Sequence, residues 1–410
     1  MAKRTCDFVP YTERSPLCPV ERVTPHDGLY IHRFFDTSPW SASGRFLVCL
    51  KLPFQDHEPG PEDYADVCVI DLVQQTIEPV YPTRGWGMQT GAHQAWGADD
   101  DMLYFNDKLD GLPVGVKLDL RTGKARMLEG TIYMLSPDCS QAISPCLIRT
   151  NHTQRGYGVS VAQERDVSQP QGASETDGIF RTNLDTGRQT LLLSLAEIFE
   201  ALPDKDDYAG DTFYGFHVKY NPQGTRIMFV VRTIHPGKPM KKMLITCDAD
   251  GKNVRVAVHW KVWNQGHHPN WHPDGERVLM NLDATGGGMR FYEARFDGAN
   301  PRIIAPAIMG SGHPSWHSEG RFIVTDAYPN EPMARKGWVP IRLIDVAEQQ
   351  EYNVCWIWTL GPNLGVLRCD PHPAWNRDFT KVCFTGAPEG VRQLFIADLA
   401  AFIDHRTAEK

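Results

Sequence analysis

Short apolar runs alternate with polar turns along the chain, and one unit of this pattern recurs. In the clearest copy, residues 268–280 (HPNWHPDGERVLM), a histidine and an aromatic residue precede a polar turn with glycine, and an apolar run follows. Short apolar runs bounded by glycine, proline and aspartate predict β-strands. The aromatic or equivalent position of the seven copies is occupied by Trp40, Trp96, Leu135, Tyr220, Trp271, Trp316 and Trp375.

The spacing of the copies predicts how many structural units the chain forms. The intervals are 56, 39, 85, 51, 45 and 59 residues, and a four-stranded propeller blade needs roughly 40 to 50 residues. A second apolar run in each copy ends in an acidic or glycine turn, as in residues 116–123 (VKLDLRTG), which is typical of a β-meander. We therefore predict an all-β, seven-bladed β-propeller with mostly four-stranded antiparallel blades. Residues 1–410 would form one domain, with an insertion around 150–215.

Two local predictions concern the ends of the chain and the insertion. Residues 21–24 (ERVT) read as a short strand, and propellers usually close by pairing a terminal strand with the opposite end of the chain. We expect these residues to lie in the last blade, which contains the strong apolar run 393–397 (QLFIA). Ser194 and Glu197 have the spacing of a capping box, which predicts a helix to about residue 202.

Charge and composition narrow the functional classes. The net charge is −8, so we expect no general attraction to nucleic acid or to an anionic membrane. No run of about 18 apolar residues is present, and the first residues lack the apolar region of a signal peptide. As written, the sequence predicts a soluble cytoplasmic protein, or a secreted or periplasmic one if a signal peptide has been removed. The ten cysteines form no CxxC pair and are expected to be reduced, buried thiols.

The repeated histidine is the first candidate for chemistry. It stands just before the innermost strand of each unit, where a propeller presents side chains to its central channel. The histidines at this position are His93, His217, His268, His313 and His372. Five in register favour a function, although duplication of an ancestral blade could also have copied a structural histidine.

The later copies add metal-ligand chemistry to this position. Cys369 and Asp370 lie just before His372, and His313 occupies the same place one copy earlier. Imidazole, thiolate and carboxylate groups bind divalent metals. We therefore predict His313, Cys369 and His372 as ligands of a divalent metal (zinc, manganese or calcium); the alternative is a buried cysteine beside structural histidines. No Gly-Lys-Ser/Thr loop is present, so no nucleotide cofactor is expected.

The earlier copies supply polar and aromatic side chains of a different kind. Two precede an inner strand, three lie in a polar loop that opens the insertion, and one ends an inner strand. These residues are Trp86, Gln89, His152, Arg155, Tyr157 and Arg232. Arginine, histidine and tyrosine suit recognition of a sugar carboxylate, whereas the alternative for His152 and Tyr157 is a solvated surface loop.

Several short motifs, taken in order, resemble one enzyme group. They are residues 38–44 (SPWSASG), 89–96 (QTGAHQAW), 155–158 (RGYG), 312–315 (GHPS), 325–329 (TDAYP) and 368–373 (RCDPHP). The chain resembles, over most of its length, the seven-bladed β-propeller polysaccharide lyases, which include ulvan lyases, oligogalacturonate lyases and glucuronate lyases. The resemblance implies β-elimination at a 4-linked uronic acid of the glucuronate or iduronate type within an acidic oligosaccharide or polysaccharide.

The resemblance also implies roles for individual residues. His93 and Tyr157 would form the base and acid pair, with the assignment between them open, and Arg232 would bind the carboxylate. His152 or His217 would assist. Further substrate contacts would come from Trp86, Gln89, Arg155 and His268, and His313, Cys369 and His372 match positions where these lyases hold a cation.

One departure and three alternatives qualify this interpretation. We expect ulvan lyases to carry a second catalytic histidine about one strand beyond the first, and residues 110–113 (DGLP) contain none. An oligogalacturonate-type lyase is one alternative, and a nonenzymatic Tol-type propeller that binds a protein is another. A peptidase or glycosidase is less well supported, because the sequence shows no Gly-x-Ser-x-Gly motif and no identifiable carboxylate pair.

Overall fold

The strands of the protein form seven antiparallel sheets. The computed structural model describes residues 3–166, 169–263 and 265–408. Five of the sheets have four strands and two have five. Successive strands of the chain are neighbours within each sheet, except where the N-terminal strands add to the two five-stranded sheets. This is a seven-bladed β-propeller, so the predicted fold class is confirmed.

The N-terminal segment and the first three blades have the following strand bounds. The segment contains β1 (Arg4–Thr5), β2 (Val9–Pro10) and β3 (Val20–Arg22). Blade one contains β4 (Leu29–Ile31), β5 (Phe46–Leu52), β6 (Ala65–Asp71) and β7 (Thr76–Thr83). Blade two contains β8 (Ala95–Trp96), β9 (Met102–Leu109), β10 (Leu112–Asp119) and β11 (Lys124–Met127). Blade three contains β12 (Met134–Leu135), β13 (Gln141–Ser144), β14 (Gly178–Asn183) and β15 (Gln189–Ser194).

The remaining four blades follow in the same way. Blade four contains β16 (Thr212–Tyr220), β17 (Arg226–Ile234), β18 (Lys241–Asp248) and β19 (Arg255–Val258). Blade five contains β20 (Gln265–Trp271), β21 (Arg277–Asp283), β22 (Arg290–Arg295) and β23 (Arg302–Ile304). Blade six contains β24 (Ser315–Trp316), β25 (Phe322–Thr325), β26 (Trp338–Asp345) and β27 (Gln350–Trp358). Blade seven contains β28 (Ala374–Trp375), β29 (Lys381–Gly386) and β30 (Gln393–Asp398).

Three short α-helices occur in the described residues: α1 (Leu147–Thr153), α2 (Leu195–Ala201) and α3 (Ala400–Ala408). Helix α2 begins with the predicted capping box, since the Ser194 hydroxyl accepts from the Glu197 backbone N–H and the Glu197 carboxylate accepts from that of Ser194. Single 3₁₀ turns span Gln163–Arg165, Lys205–Tyr208 and Gly365–Leu367. No helix in the described ranges is long and apolar enough to cross a membrane.

The N-terminal segment completes two blades. Strand β3 pairs with β30, with Val20 opposite Ala397 and Arg22 opposite Phe395, and β2 pairs with β3. Strand β1 pairs with β7 at the outer edge of blade one. The predicted closure of the last blade by residues near 21–24 is therefore confirmed.

By the density of internal contacts, the chain divides into two compact units. The first comprises Met1–Leu103, Asp119–Lys124 and Ser311–Lys410, and the second Tyr104–Leu118 and Ala125–Gly310. Each unit contains an apolar core of its own. The ten cysteines are thiols, as predicted, but Cys18, Cys139 and Cys146 are only half-buried. The single-domain prediction stays a prediction.

The recurring tryptophan has a structural role. In three copies its indole N–H donates to a backbone carbonyl in the innermost strand region of the preceding blade: Trp271 to Lys219 at 3.3 Å and Trp375 to Ser315 at 3.3 Å. Trp96 makes the equivalent bond to Pro39 at 2.9 Å. A buried indole N–H needs such an acceptor, so these three tryptophans join neighbouring blades within their units.

Candidate active site and metal centre

All five predicted histidines are buried. His93, His313 and His372 belong to the first unit, and His217 and His268 to the second. The backbone is left-handed at His93, His268 and His372, with φ of 53°, 57° and 51°. Such a conformation costs a non-glycine residue about 1–2 kcal/mol and persists only where the surrounding structure fixes it. The position is therefore held by specific contacts, which differ between the units.

In the first unit, a buried carboxylate organises two of the histidines. Asp326, at 0% exposure, lies 2.8 Å from Nδ1 of His313 and accepts the His313 backbone N–H at 2.8 Å. Its other oxygen accepts the backbone N–H of His372 at 3.1 Å. One side chain thus joins blades six and seven and fixes the ring of His313. We call this group, with Asp370, the carboxylate–histidine cluster.

His372 carries a buried imidazole nitrogen that makes no hydrogen bond in the part of the chain that the structure describes. Its ring lies 4.2 Å from that of His313, nearly perpendicular to it. Its Nε2 is buried, makes no hydrogen bond with any described residue, and lies 3.8 Å from a carboxylate oxygen of Asp370. Burial, and then the neighbouring His313, hold the pKa of His372 well below its ordinary value. The ring is therefore neutral, which is the form that binds a metal.

These side chains fit a divalent metal ion. Donor atoms of His313, Asp370 and His372 all lie within 4.8 Å of one another. Two imidazoles and a carboxylate are a common donor set for zinc and manganese, and metal-binding histidines usually give their other ring nitrogen to a carboxylate, as His313 does to Asp326. Cys369, the predicted third ligand, is not in this group; burial raises the pKa of its thiol to about 11, and its role as a ligand stays a prediction.

Sequence reasoning did not find His32, which lies beside this cluster. Its Nε2 is 3.2 Å from the carbonyl of Pro371, and burial lowers its pKa to about 4. Phe34, two residues further along the chain, places its ring 4.6 Å from that of His372. His32 follows β4, where an extra segment interrupts the inner strand before Trp40 pairs with Leu47. The repeat does not mark His32, because it lies eight residues before Trp40, whereas the repeated histidine lies three residues before its aromatic residue.

The remaining predicted residues of the first unit have structural contacts. The carbonyl of His93 accepts from Arg33 at 3.3 Å. Gln89 donates its amide to the carbonyls of Val366 and Arg368, at 2.7 and 3.0 Å, and so supports the loop before Asp370. The buried indole of Trp86 donates to the carbonyl of Asp63 at 2.9 Å. Substrate contact by Gln89 and Trp86 stays a prediction.

In the second unit, His217 lies among aromatic side chains. A bulge interrupts β16 between Gly215 and Val218, and it places His217 out of the regular ladder. The Tyr133 hydroxyl is hydrogen-bonded to Nδ1 of His217, and the Tyr157 ring packs edge-on at 5.7 Å. His268, at the corresponding bulge of β20, places its ring 6.4 Å away. We call Tyr133, Tyr157, His217 and His268 the histidine–tyrosine cluster.

Two cations lie opposite each other on neighbouring strands of blade four. Arg232 stacks on Phe216, with its guanidinium carbon 3.7 Å from the ring centre, and its Nε is buried and makes no hydrogen bond with a described residue. Lys242 lies directly opposite Arg232 on β18. In the described ranges, no carboxylate forms an ion pair with Arg232 or Lys242. Like charges opposite each other destabilise a sheet, so this pair needs an explanation.

The environment of the cations favours an anionic ligand. Burial lowers the pKa of Arg232 to about 10, and the nearby Tyr157 raises it. Burial, and then the charge of Arg232, lower the pKa of Lys242. In the described ranges, Nη1 of Arg232 donates to two neutral oxygens, the Thr153 carbonyl and the Gln154 side-chain amide, both at 3.1 Å. A desolvated positive charge with neutral partners binds an anion more strongly than a solvated one does.

His152 and Arg155 lie near the surface of the same unit. His152 is in the last turn of α1, where Nε2 lies 3.0 Å from a carboxylate oxygen of Asp166 and the ring stacks on Tyr214. Arg155 is exposed. Catalytic or binding roles for both residues stay predictions. The pairing of His93 with Tyr157 also stays a prediction.

Comparisons with known proteins find likeness at the level of structure. The chain is similar to an oligogalacturonate lyase in complex with manganese (TM-score 0.68, 18% identity, 97% of each chain covered). It is also similar to an oligogalacturonate lyase from Vibrio parahaemolyticus (TM-score 0.68, 16% identity, 97% of this chain and 98% of that one). The β-propeller domain of the Trilobed protease from Pyrococcus furiosus is more distant (TM-score 0.51, 10% identity, 89% of this chain and 96% of that one).

No family model matches the chain, and no curated protein matches it by sequence. At the identities found, the likeness to solved structures establishes the fold alone. The fold is therefore that of the propeller lyases named above, and the activity has to be argued from the side chains.

Proposed function

We propose that this protein is a lyase that cleaves a 4-linked uronic acid in an acidic oligosaccharide by β-elimination. One observation carries the proposal: Arg232 and Lys242, both half-buried, lie opposite each other without an acidic partner in the described residues. The ring of Phe216, on which Arg232 stacks, packs against both Tyr157 and His217. The overall charge of −8 does not attract an acidic sugar, so a local cation site is needed.

The cations would serve the first chemical requirement of the reaction. The C5 proton of a uronate becomes acidic only when the neighbouring carboxylate is neutralised, because its removal places negative charge on that group. A fixed donor aimed at such a developing charge is typically worth about 2.7–4 kcal/mol. Arg232, which stacks on Phe216, would supply this stabilisation, with Lys242 opposite it on the next strand.

Tyr157 would serve the second requirement, which is proton transfer. A neighbouring cation stabilises a phenolate, and the charge of Arg232 interacts with Tyr157. The phenolate takes the C5 proton, the C4–O4 bond breaks as the C4=C5 double bond forms, and the phenol returns the proton to the departing O4. Such proton transfer contributes about 10²- to 10⁴-fold in rate.

The carboxylate–histidine cluster would hold a divalent metal, as the oligogalacturonate lyase similar to this chain holds manganese. His313, Asp370 and His372 would be its ligands, and Asp326 would orient His313. A bound cation there supplies Lewis-acid neutralisation of an anionic sugar group.

Elimination can be tested directly, because its product has a C4=C5 double bond conjugated to the carboxylate and absorbs in the ultraviolet. We expect this absorbance to appear when the protein is incubated with oligosaccharides that contain 4-linked glucuronate or iduronate. Product from galacturonate oligomers alone would instead indicate the oligogalacturonate-type alternative. Absence of product from all three substrates, with manganese, zinc or calcium supplied, would refute the proposed function.

A further inference from the structure

Tyr133 is the hydrogen-bond partner of His217, and no feature of its sequence marks it as functional. It lies just before β12 of blade three, and its backbone N–H donates to the carbonyl of Ile143 at 2.9 Å. Its ring packs in the core of the second unit, and both Tyr133 and His217 are 3% exposed. The core therefore fixes the phenol, and the phenol in turn fixes the imidazole ring.

The chemistry of the two groups decides which one donates. A neutral imidazole carries a proton on one nitrogen and a lone pair on the other, and a phenol both donates and accepts. Both groups are buried, and burial disfavours the charged form of each. The phenol is the better donor and the unprotonated imidazole nitrogen the better acceptor, so the Tyr133 hydroxyl donates to Nδ1. The ring proton of His217 then lies on Nε2.

We infer that Tyr133 is a positioning residue that fixes His217 as a neutral imidazole with its proton on Nε2. His217 then acts as a hydrogen-bond donor to developing negative charge and not as the base. This role rests on the proposed function, in which Tyr157 makes the proton transfer, and no proton leaves His217 during the reaction. A neutral imidazole in such a role is a known catalytic device.

The tautomer can be measured without any substrate. We expect ¹⁵N NMR of the labelled protein to show an unprotonated Nδ1 and a protonated Nε2 for His217, identified by the signals that disappear in His217→Gln. In Tyr133→Phe, which keeps the ring and removes the hydroxyl, a protonated Nδ1 should become populated. A protonated Nδ1 in the unsubstituted protein overturns the inference, and so do unchanged nitrogen signals in the variant.

Activity gives a second readout. In Tyr133→Phe we expect kcat to fall about 10- to 100-fold. Removal of the donor itself typically lowers kcat more, by about 10²- to 10³-fold. KM should change less than about 2-fold, since Tyr133 acts through His217 and not on the sugar. Tyr292→Phe removes a hydroxyl from another buried tyrosine of the same unit and should leave kcat unchanged. An unchanged kcat in Tyr133→Phe contradicts the role.

Different results would refute the proposed lyase function and the positioning role of Tyr133. If the unsubstituted protein releases no unsaturated product from any uronate, the proposed function is wrong, and the NMR measurement still decides whether Tyr133 fixes the tautomer. If Tyr133→Phe does not fold, the tautomer in the unsubstituted protein remains measurable and a protonated Nδ1 there still overturns the inference.

Discussion

The histidines of the carboxylate–histidine cluster and of the histidine–tyrosine cluster occupy the same position of the same repeat. The charged side chains beside them, however, are mainly acidic in the first cluster and basic in the second. In the first, the carboxylates of buried Asp326 and Asp370 lie beside the imidazoles, and Asp370 also pairs with Arg368 at 2.7 Å. In the second, the neighbours are phenols and the cations Arg232 and Lys242. Because a buried charge needs a compensating partner, the first cluster is suited to a cation and the second to an anion. The function of each histidine is thus set by what the adjacent strands place beside it.

The largest expected effect is on the anion side of this comparison. Arg232→Gln removes the charge while keeping a polar side chain, and we expect kcat/KM on the uronate substrate to fall about 10²- to 10³-fold. Stability should hold or rise, because the variant no longer buries a cation opposite Lys242. Steady-state kinetics and thermal unfolding measure the two effects.

The matched control is Arg226→Gln, on the same strand β17. Arg226 is paired with Glu276 at 2.6 Å, so its loss should change stability slightly and kinetics not at all. If Arg232→Gln lowers the melting temperature and leaves kcat/KM unchanged, Arg232 has only a structural role and the comparison fails on this side.

The next effect is on the cation side. His372→Gln removes a predicted ligand, and we expect the manganese or zinc bound per chain to fall to background in elemental analysis. A ligand present at 100 times its Kd stabilises the folded state by about 2.7 kcal/mol, so the metal-induced rise in melting temperature should disappear as well.

His317→Gln is the control for this loss. His317 is a buried histidine of the same unit that packs against Trp375 and Phe379, and its replacement should leave metal binding intact. Equal metal content in His372→Gln and the unsubstituted protein would show that the cluster is not a metal site.

A smaller effect is expected from the carboxylate that orients His313. Asp326→Asn keeps the shape of the side chain and leaves the three proposed ligands, His313, Asp370 and His372, in place. Loss of such an outer partner typically costs about 10- to 100-fold in metal affinity, which titration calorimetry measures. Asp345→Asn is the control: it breaks the buried ion pair with Arg321 at 2.6 Å and should reduce stability while leaving metal affinity unchanged. If Asp326→Asn binds the metal as tightly as the unsubstituted protein does, Asp326 only connects blades six and seven.

The fold was predictable from the sequence because it depends on local, repeated information. Alternating apolar positions, the turn glycines and the aromatic spacing define a blade, and each copy reinforces the others. Closure through residues near 21–24 and the cap at Ser194 follow from equally local rules. The histidine position was found for the same reason.

The partners of those histidines were not predictable. Asp326 reaches His313 from 13 residues away and His372 from 46, and Tyr133 reaches His217 across 84. Lys242 became a candidate for anion binding only from the register of β17 and β18, which places it opposite Arg232. Such pairings depend on which strands become neighbours, and no motif in the chain encodes them. His32 was missed because it lies outside the spacing of the repeated histidine.

The smallest predicted effect tests whether the repeat itself is structural. Trp271→Phe keeps an aromatic ring but removes the indole N–H that donates to Lys219 at 3.3 Å, and Trp375→Phe does the same for the bond to Ser315 at 3.3 Å. One replacement is in each unit. We expect each to lower the free energy of unfolding by about 1 kcal/mol, measured by urea denaturation.

Neither tryptophan replacement should alter kcat/KM or metal affinity, because the lost bond joins inner strands and touches neither cluster. If either replacement lowers activity as much as Arg232→Gln, or metal content as much as His372→Gln, then the packing between blades contributes directly to the site. The difference between the clusters would then arise from blade packing as well as from their charged neighbours.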